Sequence, residues 1–254
     1  MHVLLIEDHS QLGGLVSREL REKHGYSTTW ERDPIQAREK YLEENYDIAI
    51  IDLLYGHLSQ HFEDLRRDNM VTLTSRQLII SGLMAVQELT APPRDTKIVI
   101  WTSGEPNRRL HMLYAYEELG IRVFCSKSSG EGTPDTLVDA LEAAAKGQTF
   151  VDRILNSYLP AANSPTVRDT ILREPRKRAI WRALALGARS RNEVSDLTGY
   201  SNRTVGNLIP AMLDDLIEFD PGITQNSPPM VQLISYASRN WEFFLDEVIR
   251  THLP

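Results

Sequence analysis

Four short apolar runs, spaced by segments with helical periodicity, constrain this chain more than any other feature. They are Val3–Glu7, Asp47–Leu53, Lys97–Trp101 and Arg122–Cys125. An uninterrupted apolar run of this length fits a strand covered on both faces, which is the situation in a parallel sheet. The segments between them alternate accordingly. His9–His24 carries Leu12, Leu15, Val16 and Leu20 at helical spacing and stops at Gly25. Asp33-Pro34 opens a second helix, with Asp as N-cap and Pro in its first turn, and Ile35, Ala37, Tyr41 and Leu42 follow. Ser27–Glu31 is a weaker strand, and Pro134–Lys146 is a helix closed by Gly147. Alternating strands and helices predict an α/β domain over 1–150, a doubly wound, five-stranded parallel sheet with helices on both faces.

One stretch breaks the rhythm. Leu54 to Thr96 is far longer than a single crossover needs. Ser81–Leu89 supplies the helix, so 56–80 reads as an insertion. Residues 151–175 hold Pro160, Pro165 and Pro175 with small polar residues, a linker signal. Helical spacing returns in 176–254, first through Ile180, Leu184, Val194 and Leu197, then through Val205, Ile209, Leu213 and Leu216. Ile217–Asp220 and Met230–Tyr236 flank a Pro/Gly/Asn-rich loop and are expected to form a β-hairpin wing. Asn240–Leu253 reads as a last amphipathic helix with Trp241, Phe244, Leu245, Val248 and Ile249, a surface for packing or dimerisation.

Charge is divided unevenly. Residues 1–150 hold 16 Lys and Arg against 23 Asp and Glu, a net −7; 151–210 are net +5, and 211–254 are net −5. A basic block between acidic ones suits one localised face for a polyanion rather than indiscriminate coating. No run of about 18 apolar residues exists, so no membrane span is expected. The opening MHVLLIEDHS lacks the basic start of a secretory leader, and the single Cys125 sits in an apolar run; both point to a reducing cytoplasm.

Ligand sites in doubly wound sheets lie at the carboxyl ends of the strands. Read in order, those ends present Glu7-Asp8, Asp52, Thr102 and Lys127. Three acids, a hydroxyl and a lysine on one rim form a coherent chemistry. Glu7, Asp8 and Asp52 suit a hard cation such as Mg²⁺. Asp52 is a nucleophile toward phosphorus. Lys127 offsets charge on the transferred group, and Thr102 can donate a hydrogen bond to it.

The pattern resembles the receiver domain of two-component response regulators, a flavodoxin-like fold: IED at 6–8, IAIIDLL at 48–54, IVIWTS at 98–103 and VFCSKSS at 123–129. SGLMAVQEL at 81–89 and ALEAAAKGQTFVD at 140–152 are similar to the NarL/FixJ subgroup. The resemblance implies metal binding by Glu7, Asp8 and Asp52, phosphorylation of Asp52 by a sensor histidine kinase or a small phosphodonor, switching through Thr102 and Lys127, and a switch aromatic at Phe124. Two departures stand out: Ser128 follows the lysine where proline is frequent, and the 56–80 insertion adjoins Asp52.

ALGARSRNEVSDLTGYSNRTV at 185–205 resembles the helix-turn-helix of LuxR-type regulators. A turn at Gly199 leads to a recognition helix capped by Ser201. Asn202, Arg203, Thr204 and Asn207 lie on its first turns, and Arg and Asn suit bidentate reading of guanine and adenine. Arg189, Ser190 and Arg191 would hold phosphates. Gly206 stands where lysine is frequent, and Pro210 should end or kink the helix. With the wing, the second domain is expected to be a mostly helical winged helix-turn-helix.

The expected function is a DNA-binding transcription factor, not an enzyme, working as a homodimer through the receiver face of about 107–147 or through the terminal helix. Two alternatives are a receiver acting on a protein partner and a transcription factor switched by a small ligand. A phosphohydrolase would need a second acid beside Asp52, and Leu54 cannot serve. His57 and His61, four apart, read as a solvated surface pair rather than metal ligands.

Overall fold

The computed structural model describes residues 1–60, 79–127, 134–161, 164–223 and 227–251. The chain divides into two compact units, 1–58 with 80–159 and 59–79 with 160–254, so neither is continuous in sequence.

The first unit is a parallel sheet of six strands with flanking helices. In chain order its elements are β1 (His2–Ile6), α1 (Ser10–His24), β2 (Ser27–Glu31), α2 (Pro34–Glu43), β3 (Ile48–Ile51), α3 (Gly82–Thr90), β4 (Lys97–Thr102), α4 (Arg109–Glu117), β5 (Val123–Ser126), α5 (Pro134–Ala145) and β6 (Phe150–Val151). Strand order is β2-β1-β3-β4-β5-β6. The sixth strand corrects the expectation of five. It is a two-residue pairing of Phe150 and Val151 with Val123 and Phe124, too short to show a hydrophobic pattern.

Burial explains why these runs are strands. Val3, Leu5, Ile48, Ile50, Val99, Trp101, Val123 and Cys125 pack with Val16 and Leu20 of α1 and Leu137 and Leu141 of α5. The alternate residues Leu4, Ile6, Ala49, Ile51, Ile100 and Phe124 are also fully buried, on the opposite face. A strand that must be apolar on both faces can only be a continuous apolar run. Caps fix the helix starts. Asp33 accepts a hydrogen bond from the Gln36 amide at 2.9 Å, and Ser81 accepts one from the Leu83 amide at 3.1 Å.

The regular elements of the second unit are helices: α6 (Pro175–Ala185), α7 (Arg191–Thr198), α8 (Asn202–Phe219), α9 (Pro229–Arg239), α10 (Trp241–Phe244) and α11 (Glu247–Thr251), preceded by a wide helical turn at Arg168–Leu172. Trp181 of α6 stacks on Phe244 of α10, centroids 4.8 Å apart and planes within 6°. Ile180, Leu184, Val194, Val205, Ile209, Leu216 and Leu233 complete its core. Ser59 and Ile79 belong to this unit as well. The Ser59 hydroxyl donates to Glu242 at 2.6 Å, and Ile79 exchanges backbone hydrogen bonds with Leu245 and Glu247. The rest of the expected insertion, 61–78, lies outside the described residues, as do His61 and Ser128.

Three expectations for this unit are corrected. The wing is absent among the described residues: Ile217–Asp220 prolongs α8, because Leu213, Leu216 and Phe219 continue its buried stripe, and Met230–Tyr236 lies in α9, whose Leu233, Tyr236 and Ala237 are buried. Residues 224–226 of the intervening loop are outside the described residues. Pro210 does not end α8, which runs on to Phe219. The carbonyl that loses its partner and meets the proline ring is that of Gly206, four residues back, where the backbone has most room to adjust. The terminal helix is split at Leu245-Asp246, because the buried Asp246 carboxylate accepts from the Val248 amide at 2.7 Å and starts α11 afresh. Its Trp241, Phe244, Leu245, Val248 and Ile249 are buried within the unit, so that stripe is core. Within the described residues no helix is long and apolar enough to cross a membrane.

Candidate functional site

Strand order reverses between β1 and β3, which both start from the middle of the sheet and lead to opposite sides. Such a switch point leaves a crevice at the carboxyl ends of the two strands. Glu7 and Asp8 follow β1 directly, and Asp52 follows β3. One ligand atom from each of these three residues can be chosen so that all lie within 4.8 Å of one another.

Glu7 and Asp52 are almost wholly buried. Lys127, just past β5, reaches both: its Nζ is 2.5 Å from Asp52 Oδ2 and 2.6 Å from Glu7 Oε2. The other oxygens are held by backbone. Glu7 Oε1 accepts from the His9 amide at 3.0 Å, and Asp52 Oδ1 accepts from the Leu53 amide at 2.7 Å. Burial raises the Glu7 carboxyl above its usual value; Lys127 pulls it down, and the neighbouring Asp52 pushes it up. Burial would lower the Lys127 ammonium, but the Asp52 and Glu7 carboxylates together outweigh it and raise it. Lys127 also lies 5.4 Å over the Trp101 ring.

Thr102 ends β4. Its carbonyl accepts from the Lys127 amide at 3.0 Å, and its Oγ1 is buried with no hydrogen-bond partner among the described residues. A buried unsatisfied hydroxyl is costly, and a ligand oxygen is one way to satisfy it. Phe124, in β5, is fully buried, its ring centroid 6.3 Å from that of Tyr116. Glu7, Asp52 and Lys127 thus share one charge network, Asp8 lies beside it, Thr102 stands on the adjoining strand end, and Phe124 lies in the core behind.

Four further residues shape this rim. His57 is exposed, as expected of a surface histidine, and its ring lies between two acids, 3.7 Å from Asp8 and 3.2 Å from Asp33. Its neighbour Gly56 donates its amide to Asp8 Oδ2 at 2.7 Å. The buried Tyr55 hydroxyl donates to the Asp52 carbonyl at 2.8 Å. Gly82, the first residue of α3, donates its amide to the Leu53 carbonyl at 3.0 Å, and a Cβ there would stand 2.0 Å from the Asp52 carbonyl oxygen. Only glycine fits beneath Asp52. A Gly-His pair just after the strand is the available hint for His57; Gly82 lies inside the SGLMAVQEL run, which does not by itself point to Asp52.

The second cluster is α7–turn–α8. Ser190 caps α7 by accepting from the Glu193 amide at 3.2 Å, while Glu193 accepts from the Arg189 amide at 2.6 Å, a reciprocal capping box. That backbone hydrogen bond holds the Glu193 carboxyl below its usual value. Gly199, at φ 73°, ends α7 in the left-handed conformation. Ser201 caps α8, accepting from the Thr204 amide at 3.1 Å. Asn202, Arg203 and Asn207 are exposed and Thr204 half-buried. Arg189 and Arg191 are exposed at the start of α7, and the Arg191 guanidinium lies 3.4 Å from where a Gly206 Cβ would be. Of the residues named from the sequence, Asn202, Arg203, Thr204 and Asn207 lie on the first two turns of α8, Arg191 reaches toward Gly206 of that helix, and Arg189 precedes α7.

No protein-family profile matches the chain, and no curated protein does. Solved structures do. The chain is similar to RcsB from Salmonella enterica serovar Typhimurium bound to a promoter in the presence of the phosphomimetic BeF₃⁻, with TM-score 0.56, 17% identity, and 94% of this chain and 98% of that one covered. It is similar also to a structure of two RcsB dimers bound to two parallel DNAs, TM-score 0.53 at 16% identity, and to the two-component response regulator RcsB–DNA complex, TM-score 0.52 at 17%, with the same coverage. The chain thus shares the fold of that response regulator over nearly its whole length.

Proposed function

We propose that this chain is a response-regulator transcription factor. Asp52 accepts a phosphoryl group, and its state controls sequence-specific DNA binding through α8. The observation that carries the reading is Lys127 bridging Asp52 and Glu7 at the switch point, beside a Thr102 hydroxyl with no partner among the described residues.

The donor set fits a hard divalent cation: three carboxylates, oxygen only, within reach of one centre. Glu7, Asp8 and Asp52 would hold Mg²⁺, which when bound offsets negative charge on the phosphoryl oxygens. The remaining chemistry belongs to the chain. An Asp52 carboxylate oxygen forms the bond to phosphorus as the donor's P–N or P–O bond breaks, and the leaving imidazole or carboxylate departs with the electron pair. Lys127 supplies positive charge to the new acyl phosphate, and Thr102 Oγ1 donates to a phosphoryl oxygen. The donor is a sensor histidine kinase or a small acyl phosphate.

On DNA, Arg203 and Asn207, with Asn202 and Thr204, read base edges in the major groove, while Arg189 and Arg191 hold phosphates. A homodimer then presents two α8 helices to half-sites about one helical turn apart. RcsB, whose fold this chain shares, is bound to DNA as dimers.

The test is intact-protein mass after acetyl phosphate and Mg²⁺, with DNA binding followed in parallel. One phosphoryl adduct, absent from Asp52→Asn and Asp8→Ala, together with a change in DNA affinity, is expected. An adduct that persists in Asp52→Asn, or none at all, would remove the assignment. DNA binding in the absence of any adduct would instead favour a regulator switched by a small ligand.

A further inference from the structure

Two consecutive glycines, Gly13 and Gly14, lie inside α1, where glycine is a poor helix former. The reason stands opposite them. Trp30 of β2 lays its indole over the pair. A Cβ at Gly13 would stand 2.5 Å from the indole Nε1 and Cε2, and one at Gly14 would meet the ring edge at 3.8 Å. No side chain fits at Gly13 while the indole keeps its place.

That place makes a hydrogen bond. Trp30 Nε1 donates to the Glu7 carbonyl at 2.9 Å, and the Glu7 amide donates to the Glu31 carbonyl at 3.0 Å. Glu7 is thus held at both ends by β2. Arg32, just past β2, donates to the Asp8 carbonyl at 3.4 Å. The Glu7 carbonyl belongs to the peptide that joins the two acids. Successive side chains of a strand point to opposite faces, so neighbouring acids can serve one centre only where the strand has ended. A carbonyl beyond the ladder then needs a donor from elsewhere. Trp30 is that donor, and ligand atoms of Glu7, Asp8 and Asp52 do come within 4.8 Å of one another.

We infer that Trp30 is a positioning residue for the divalent-cation site. Its indole N–H fixes the Glu7–Asp8 peptide so that both carboxylates face the centre they share with Asp52. The inference rests on the reading of that rim as a cation site, and Trp30 itself does not touch the cation. Trp30 also packs half-buried on the core of its unit. Packing asks only for an apolar ring, which phenylalanine supplies; positioning asks for the N–H.

Mn²⁺ is a suitable probe, because its free form is counted by paramagnetic resonance without reference to tryptophan emission. The full chain is titrated as parent, Trp30→Phe, Gly13→Ala and the double variant, and Tm is measured for each. Trp30→Phe should bind Mn²⁺ roughly tenfold more weakly, as loss of a group that orients a metal ligand does. Gly13→Ala pushes the indole off Glu7 and should lower both Tm and Mn²⁺ affinity. In the double variant the smaller ring leaves room for the methyl group. Its Tm should return to that of Trp30→Phe, while Mn²⁺ affinity stays low. A Trp30→Phe protein that binds Mn²⁺ as the parent does, or a double variant whose affinity recovers with its Tm, would overturn the inference. Failure of the cation site itself looks different. The parent would then bind no Mn²⁺, or Asp8→Ala and Asp52→Asn would bind it as tightly as the parent, and the inference would fall with the site.

Discussion

Lys127 in the first unit and Lys177 in the second each hold two acids, yet the settings differ. Lys127 lies 2.5 and 2.6 Å from Asp52 and Glu7, whose side chains are 4% and 0% exposed. Lys177 lies 2.6 Å from Asp215 and 3.8 Å from Glu174, whose side chains are 31% and 41% exposed. Water screens the second trio and not the first. The same contrast runs through both clusters. The rim is assembled from four strand ends scattered along the chain and is buried and interlocked. The helix-turn-helix is contiguous, capped by its own neighbours and open to solvent. A change at the rim should therefore cost stability and function together, and a change at α8 should separate them.

The largest effect should come from breaking the buried trio. Lys127→Met leaves two like charges without a counter-ion and should destabilise the first unit by about 3–5 kcal/mol, whereas Lys177→Met should cost no more than about 1 kcal/mol. Denaturant unfolding of the two variants checks this; equal losses would erase the distinction. Next come two glycines. Gly82→Ala drives a Cβ into the Asp52 carbonyl and should cost about 3 kcal/mol, with loss of phosphoryl acceptance. Gly206→Ala meets only the end of the flexible Arg191 side chain and removes a poor helix former, so it should stay within about 1 kcal/mol of the parent. A Gly82→Ala protein as stable as the parent would mean that α3 is free to shift beneath Asp52.

Smaller effects sharpen the contrast. Arg203→Ala and Asn207→Ala should each weaken specific DNA binding by about 1–3 kcal/mol and relax base preference, leaving Tm unchanged. Arg189→Ala should weaken all sequences alike and flatten the salt dependence. Equal losses on specific and random DNA for both kinds of variant would displace α8 as the reading helix. The smallest effect concerns pH. Because the Glu7 carboxyl is raised in the fold, the folded state binds more protons than the unfolded chain over a window that begins near 4.5 and extends upward. Stability should fall as pH rises through that window. Glu7→Gln should flatten that slope and raise Tm near neutral pH, while weakening Mg²⁺ binding. A steeper slope in Glu7→Gln would reverse the sign assigned to this carboxyl.

The two units were unequally legible. Strands buried on both faces announce themselves as unbroken apolar runs, so β1, β3, β4 and β5 could be placed within a few residues, and with them the strand ends that carry Glu7, Asp8, Asp52, Thr102 and Lys127. What escaped lies in relations between distant residues. Gly82 is required only because Asp52 folds over it, and His57 meets Asp33 across a gap in sequence. In the second unit the helix caps were readable because Ser190 and Ser201 act on residues three ahead. The wing was misjudged because Ile217–Asp220 and Met230–Tyr236 have the apolar content of short strands, and only the stripe shared with Leu213 and Leu216 tells that the first of them is the end of a helix. The split at Asp246 depends on a buried carboxylate turning back onto the Val248 amide, a choice that periodicity does not encode.

The discontinuity of both units carries a consequence for how the chain is made. During synthesis Ser59 and Ile79 emerge before residues 80–159, and their partners Glu242, Leu245 and Glu247 emerge only near the end. The second unit therefore waits, with an early piece in hand, until α9 to α11 leave the ribosome, after the residues of the first unit are complete. Entropy penalises so long a closure only slowly with length, so the order is tolerable. Its effect falls on inheritance instead. A single crossover in the gene near residue 160 would join a new second unit to a first unit still carrying part of the old one. These two units can be exchanged as modules only by changing two places in the sequence at once.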